Sequence, residues 1–225
     1  WALQEERCSA KMQVEMNTKL ALLDRKIVWG SPVARTWVQA AGRAKHAITP
    51  HGGAAVMVRA PNPVFAVPPA NPQEQELFDA ANWVHSSVPF GNGTRSFHIF
   101  SWRNLPGAGS DWTAKNVRAL AEKYVTFVFE AAAALGPNVP VAICADLNEN
   151  SSLSHAVQEA LATQQWVNLV DRIGQGSDAP VTYSRDSTWQ QGAPGNTSID
   201  VIFLNRVAAL ALVRFDIIPT GLRNH

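Results

Sequence analysis

Val117, Leu120, Ala121, Tyr124 and Val128 fall on one stripe of a 3.6-residue repeat, so residues 113–135 read as a helix laying a single apolar face on a sheet. Gly136-Pro137 stops it. Met12, Met16 and Leu20 share one face of a second helix over 9–24, and a third helix is expected over about 153–163. Other segments have the shorter repeat of strands. Residues 82–90 and 95–102 flank GNGT, whose Asn92-Gly93 supplies the positive backbone angles of a tight hairpin turn. AAVMVR (54–59) follows a Gly-Gly pair, VPVAICA (139–145) is a continuous apolar run, and Ile27-Val28-Trp29 is a short strand. Residues 1–4 end a buried strand. TSIDVIFLN (197–205) and ALALVRFDII (209–218) are two further strands joined by a short turn, while the proline-rich stretch 61–72 excludes regular structure and makes a surface excursion.

Strands with a few interspersed helices, several joined as hairpins, predict an α/β protein: a four-layer sandwich of two face-to-face, mainly antiparallel sheets with outer helices. A length of 225 residues at 46% hydrophobic and 16% charged suits one domain over 1–225. No apolar run approaches the roughly 18 residues of a membrane span. Cys8 and Cys144 are far apart and lack metal-type spacing, so they read as small buried hydrophobes, not as a disulfide framework or a zinc site. The net charge is +1, but residues 1–60 hold nine Lys/Arg against four Asp/Glu. That asymmetry fits a face for a polyanion or a solvated basic surface. The chain opens on Trp1 without a secretory signal pattern, so it is expected to start inside something longer, in an intracellular protein, nuclear or cytoplasmic.

Polar residues stand where buried strands end: Glu5 after WALQ, Asp146 and Asn148 after VAICA, and Asp200 inside TSIDVIF. Asp146 and Asn148 also suit an Asx turn capping the next helix. Asp200 amid Val, Ile, Phe and Leu would be costly to bury without a metal, a histidine or a substrate to meet it.

ALQE, HGGAAVMVR, VPVAICADLNEN, TSIDVIFLN and the closing RNH occur in the order and approximate spacing of the endonuclease/exonuclease/phosphatase superfamily, which the chain resembles from end to end. Its members include deoxyribonuclease I, abasic-site and retroelement endonucleases and inositol-phosphate phosphatases. The resemblance implies that Glu5 ligates Mg²⁺ or Mn²⁺, that Asp146 orients or deprotonates the attacking water, and that Asn148 donates to a phosphate oxygen. It implies that Asp200 orients His225, which contacts the scissile phosphate or moves a proton. Phosphoryl transfer needs such a set: a metal to offset charge, a positioned water and donors at the equatorial oxygens. Trp102 falls nearest the family's phosphate-binding tyrosine, as a substrate donor or a core residue, and His98 reads as a strand histidine.

The family closes on Ser-Asp-His, whereas this chain closes on Arg223-Asn224-His225, so the expected second metal ligand, Asn224, is an amide. The strand that precedes ALQE in the family is also missing. The resemblance implies a phosphodiesterase on DNA or RNA. A catalytically impaired binder of nucleic acid or protein, and a phosphatase on inositol phosphates or lipids, stay open. Nucleic acid is favoured by the basic N-terminal third. Glu5, Asp146, Asn148, Asp200 and His225 are expected to converge on one rim of the sandwich, with the first two carboxylates within about 10 Å of each other, room for a hydrated Mg²⁺ and a phosphate.

Overall fold

The computed structural model of the chain describes residues 2–4, 8–32, 36–38, 46–48, 53–79, 82–105, 115–169, 183–184, 196–197 and 200–212. Its strands are β1 (Ala2–Gln4), β2 (Arg25–Trp29), β3 (Thr36–Val38), β4 (His46–Ile48), β5 (Ala54–Arg59), β6 (Phe65–Val67), β7 (Trp83–Phe90), β8 (Arg95–Arg103), β9 (Val141–Asp146), β10 (Trp166–Asn168), β11 (Tyr183–Ser184), β12 (Asn196–Thr197) and β13 (Asp200–Asn205). The helices are α1 (Ala10–Ala21), α2 (Pro72–Asp79), α3 (Lys115–Ala133), α4 (His155–Ala162) and α5 (Arg206–Ala211).

A six-stranded sheet has the order β10-β13-β9-β8-β7-β6, and a three-stranded sheet has the order β1-β5-β2. Pairing is antiparallel except between β8 and β9, whose connection carries α3. A parallel pair needs such a crossover, and the apolar stripe of α3 gives it a reason to lie on the sheet. Val125, Val128, Phe129 and Ala132 pack there on Trp83, Phe100, Trp102, Ile143, Ala145 and Phe203, so the buried face is turned from the expected stripe: Ala121 and Val128 are buried and Tyr124 partly so, but Leu120 is exposed. Because side chains alternate along a strand, the intervening residues face the other way. Val84 and Ile99 meet Val28, Ala54 and Val56 of the small sheet. α1 lies outside that sheet, tied to it by Trp29 Nε1 donating to Asn17 Oδ1 at 2.7 Å and Gln13 Nε2 to the Gly30 carbonyl. The four layers are therefore helix, sheet, sheet and helix, as expected.

The β7–β8 hairpin closes at the Phe90–Arg95 pair, with positive φ at Gly91 and Asn92 as well as Gly93. At Gly30 the chain lies tight against both sheets. A Cβ there would stand 2.9 Å from the Trp83 carbonyl oxygen and 3.0 Å from that of Ala54, so only glycine fits.

Two expectations are corrected. The stretch 61–72 contains strand β6 and reaches into α2, which starts at Pro72. Proline suits the first helical turn, where its missing N–H is no loss. Asn71 Oδ1 accepts from Glu74 N at 2.9 Å while Glu74 Oε2 accepts from Ala70 N, a reciprocal cap. The run starting at 209, expected as a strand, continues helix α5 as far as Ala211. Asn205 caps that helix through Ala208 N, and an apolar run rich in alanine carries no period to separate the two states. Residues from 213 onward lie outside the described residues. Among the described residues no helix is long and apolar enough to cross a membrane.

Candidate functional site

Strands β8 and β9 are parallel, so their C-terminal ends reach the same rim of the large sheet, where β13 begins. The register puts Arg103 opposite Asp146 and Asp146 opposite Asp200, one row across three neighbouring strands. Trp102, Ala145 and Val201, one position away, face the helices. The charged row therefore faces the side of the small sheet.

Asp146 is buried and held at both oxygens. Arg103 Nε donates to Oδ2 at 3.3 Å, and the backbone N–H of Asn148 donates to Oδ1 at 3.0 Å. The second contact is the Asx turn anticipated from the sequence, but it does not cap the next helix as expected: Asn150 caps the short 3-10 turn and Ser154 caps α4. The Asx turn bends the chain so that Leu147 plugs the core and Asn148 takes a φ of 53°, in the left-handed region that asparagine tolerates. Asn148 Nδ2 then donates to the Asn104 carbonyl at 2.8 Å, and Asn104 N donates to the Asp146 carbonyl at 2.8 Å. The ends of β8 and β9 are thus laced together around Asp146. Asn104 is fully buried, and its amide nitrogen has no partner among the described residues.

Asp200 differs from its expected setting. It opens β13 and is exposed instead of sitting inside an apolar strand, so no burial cost has to be met there. Trp102 is 1% exposed, packed in the core with no partner for its indole N–H among the described residues, so the expected phosphate donor is a core residue. His98 pairs with Val141, at the opposite end of β9 from Asp146, and meets His85 with Nδ1 2.9 Å from that ring's Nε2. His85 also stacks on Phe100, and burial followed by the nearby His98 holds its pKa down at about 3. This pair is a neutral strand feature remote from the rim.

Glu5, Asn224 and His225 lie outside the described residues. Gln4, just before Glu5, pairs with Ala54, and Ala54 meets the Trp83 end of β7 around Gly30. Trp83 in turn pairs with Trp102, so β1 runs towards the rim that carries Asp146. Among the described residues no three His, Cys, Asp or Glu side chains form a group able to hold a metal ion. What the rim does offer, the carboxylates of Asp146 and Asp200, is the hard oxygen donor type that Mg²⁺ and Mn²⁺ take.

Three residues of this region escaped the sequence reading: Arg103, Asn104 and Glu149. Arg103 and Asn104 carry the same signal that singled out Asp146, a polar pair just past a buried strand. Glu149 is 3% exposed, with no hydrogen-bond partner for either carboxylate oxygen among the described residues. Burial and then Glu122 push its pKa up, against Arg118, which lowers it.

Several solved structures share this architecture. The human Nocturnin catalytic domain, with a bound sulfate anion, matches with a TM-score of 0.58 at 13% identity, over 91% of this chain and 68% of that one. TDP2 of D. rerio, complexed with a single-strand DNA product, matches with 0.55 at 14%, over 91% and 69%. A 3'-5' exonuclease of Neisseria meningitidis matches with 0.56 at 14%, over 93% and 77%. Identities this low speak for the fold. No family model and no curated protein matches the sequence.

Proposed function

We propose that the chain, which has the fold of the endonuclease/exonuclease/phosphatase superfamily, hydrolyses phosphodiester bonds of DNA or RNA with Mg²⁺ or Mn²⁺. The reading is carried by the laced rim: a buried carboxylate, Asp146, fixed at both oxygens beside the amide of Asn148. A carboxylate held this way is placed to orient and deprotonate a water. The Asn148 amide has two hydrogens, one of which goes to Asn104, and the second is assigned to a phosphate oxygen. The resemblance gives Asp200 the task of orienting His225, and gives Glu5 and Asn224 the metal. A divalent cation bound there would offset charge on the phosphate and its leaving oxygen. Solved neighbours of the same fold that hold a sulfate anion or a single-strand DNA product are consistent with an anionic substrate.

The test uses the full-length protein with plasmid, single-stranded DNA, RNA and inositol phosphates, each with Mg²⁺ or with a chelator, and Asp146→Asn as control. Chelator-sensitive cleavage of a nucleic acid, lost in the control, is the expected result. Release of phosphate from inositol phosphates alone would move the protein to the phosphatase reading. Binding of nucleic acid with no cleavage at any metal concentration would make it a binding module.

A further inference from the structure

We propose that Arg103 is a positioning residue for the reaction assigned to this rim, holding the Asp146 carboxylate in one orientation. The inference rests on the phosphodiesterase reading above and adds a residue that reading does not contain. Arg103 is the last residue of β8, 5% exposed, directly opposite Asp146 in the parallel register, with Nε 3.3 Å from Oδ2.

The geometry makes the guanidinium more than a neighbour. One carboxylate oxygen of Asp146 is engaged by the Asn148 backbone N–H, which fixes where that oxygen lies along the chain. The other is engaged by Arg103, which fixes the rotation of the carboxylate plane about the bond that the first contact leaves adjustable. Two donors on two oxygens define one orientation, and a buried carboxylate without a cation beside it would favour its protonated form. A protonated Asp146 cannot take a proton from water. The backbone supports the arrangement: Arg103 N donates to the Asn82 carbonyl and Asn104 N to the Asp146 carbonyl, so the end of β8 is held from both sides.

An ion pair that served only the fold would act on stability and leave the chemistry of the surviving enzyme unchanged. The two roles therefore separate in kinetics. The experiment compares wild type, Arg103→Met, Arg103→Lys and the double variant Arg103→Met with Asp146→Asn, all as full-length protein with Mg²⁺ and the nucleic acid cleaved best. Arg103→Met is expected to lower kcat on the order of 10²-fold, the cost of a misaimed catalytic group, with KM changed by less than about threefold because binding is left in place. The acidic limb of its pH–rate profile moves to higher pH. Arg103→Lys, which keeps the charge and loses the planar fork, recovers part of kcat and returns the acidic limb towards wild type. The double variant removes both members of the pair, so it recovers the thermal midpoint lost in Arg103→Met, which assigns that loss to the Asp146 carboxylate left without its guanidinium. If wild type cleaves and Arg103→Met keeps its kcat and its pH profile, the inference alone is overturned. A loss of kcat that simply follows the loss of folded protein overturns it as well. If wild type cleaves no phosphodiester under any condition, the reading of the site fails and the inference with it.

Discussion

Asp146 and Asp200 are direct Cα partners across the antiparallel pair of β9 and β13, yet one carboxylate is buried and the other exposed. Like charges facing each other on adjacent strands repel. Here the Arg103 guanidinium stands on the far side of Asp146 and balances its charge, while Asp200 lies at the solvent-exposed start of β13. Two acids one strand apart are thereby given different settings, the arrangement that suits different tasks.

Their substitutions should part company accordingly. Asp146→Asn is expected to lower cleavage by about 10²–10⁴-fold and to destabilise the fold by on the order of 3 kcal/mol, since it leaves a buried guanidinium without its carboxylate. Asp200→Asn, at an exposed position, should change stability by less than about 0.5 kcal/mol and act on rate alone. Urea denaturation and initial rates measure both. Full activity in Asp146→Asn would remove Asp146 from the chemistry.

The His85 pair sets an acid limit on stability. With its folded-state pKa held down at about 3, His85 stays neutral where the unfolded chain takes up a proton. The unfolded state therefore binds more protons between the ordinary histidine range and about pH 3, and stability is lost as pH falls through that window. The slope from one such group approaches about 1.4 kcal/mol per pH unit. His85→Gln, able to hydrogen-bond His98 without titrating, should flatten the fall. An unchanged slope in thermal melts from pH 6.5 to 4 would place the acid sensitivity elsewhere.

Glu149 acts in the opposite sense. Its raised pKa means that the folded state keeps a proton which the unfolded chain releases first. Its contribution is present below the ordinary carboxylate pKa and is lost as pH rises through the raised one. Glu149→Gln removes that loss. The variant should melt above wild type at neutral pH, with the difference shrinking as pH drops towards 4. A constant difference at every pH would show that the carboxyl does not titrate in this way.

Gly30→Ala tests the approach of the two sheets. The added methyl meets two backbone carbonyl oxygens that no rotamer can move, so a loss of roughly 1–3 kcal/mol is expected. Because Gly30 joins the Ala54 end of the small sheet to the Trp83 end of the large one, cleavage should fall in the folded fraction too. Normal stability would mean that the sheets stand further apart.

Local pattern determined most of the elements. The α3 helix, the GNGT turn, the VAICA run and the Asx turn at Asp146 each depend on neighbours within a few residues, so composition and period suffice to read them, although the exact buried face of α3, which leaves Leu120 exposed, did not follow. Reading failed where short-range signals balance: the alanine-rich run after Asn205 turned helical because a cap from Asn205 reached Ala208 N, and the prolines of 61–72 left room for an edge strand and opened a helix. The site itself depended on tertiary structure. No spacing in the sequence says that residue 103 lies beside residue 146. That follows from the parallel register set by the α3 crossover, and the same register buries Trp102 beside the rim. Alternation decides which face a residue takes, but only the packed sheets decide which faces meet solvent, and so whether Asp200 or Asp146 is the buried acid.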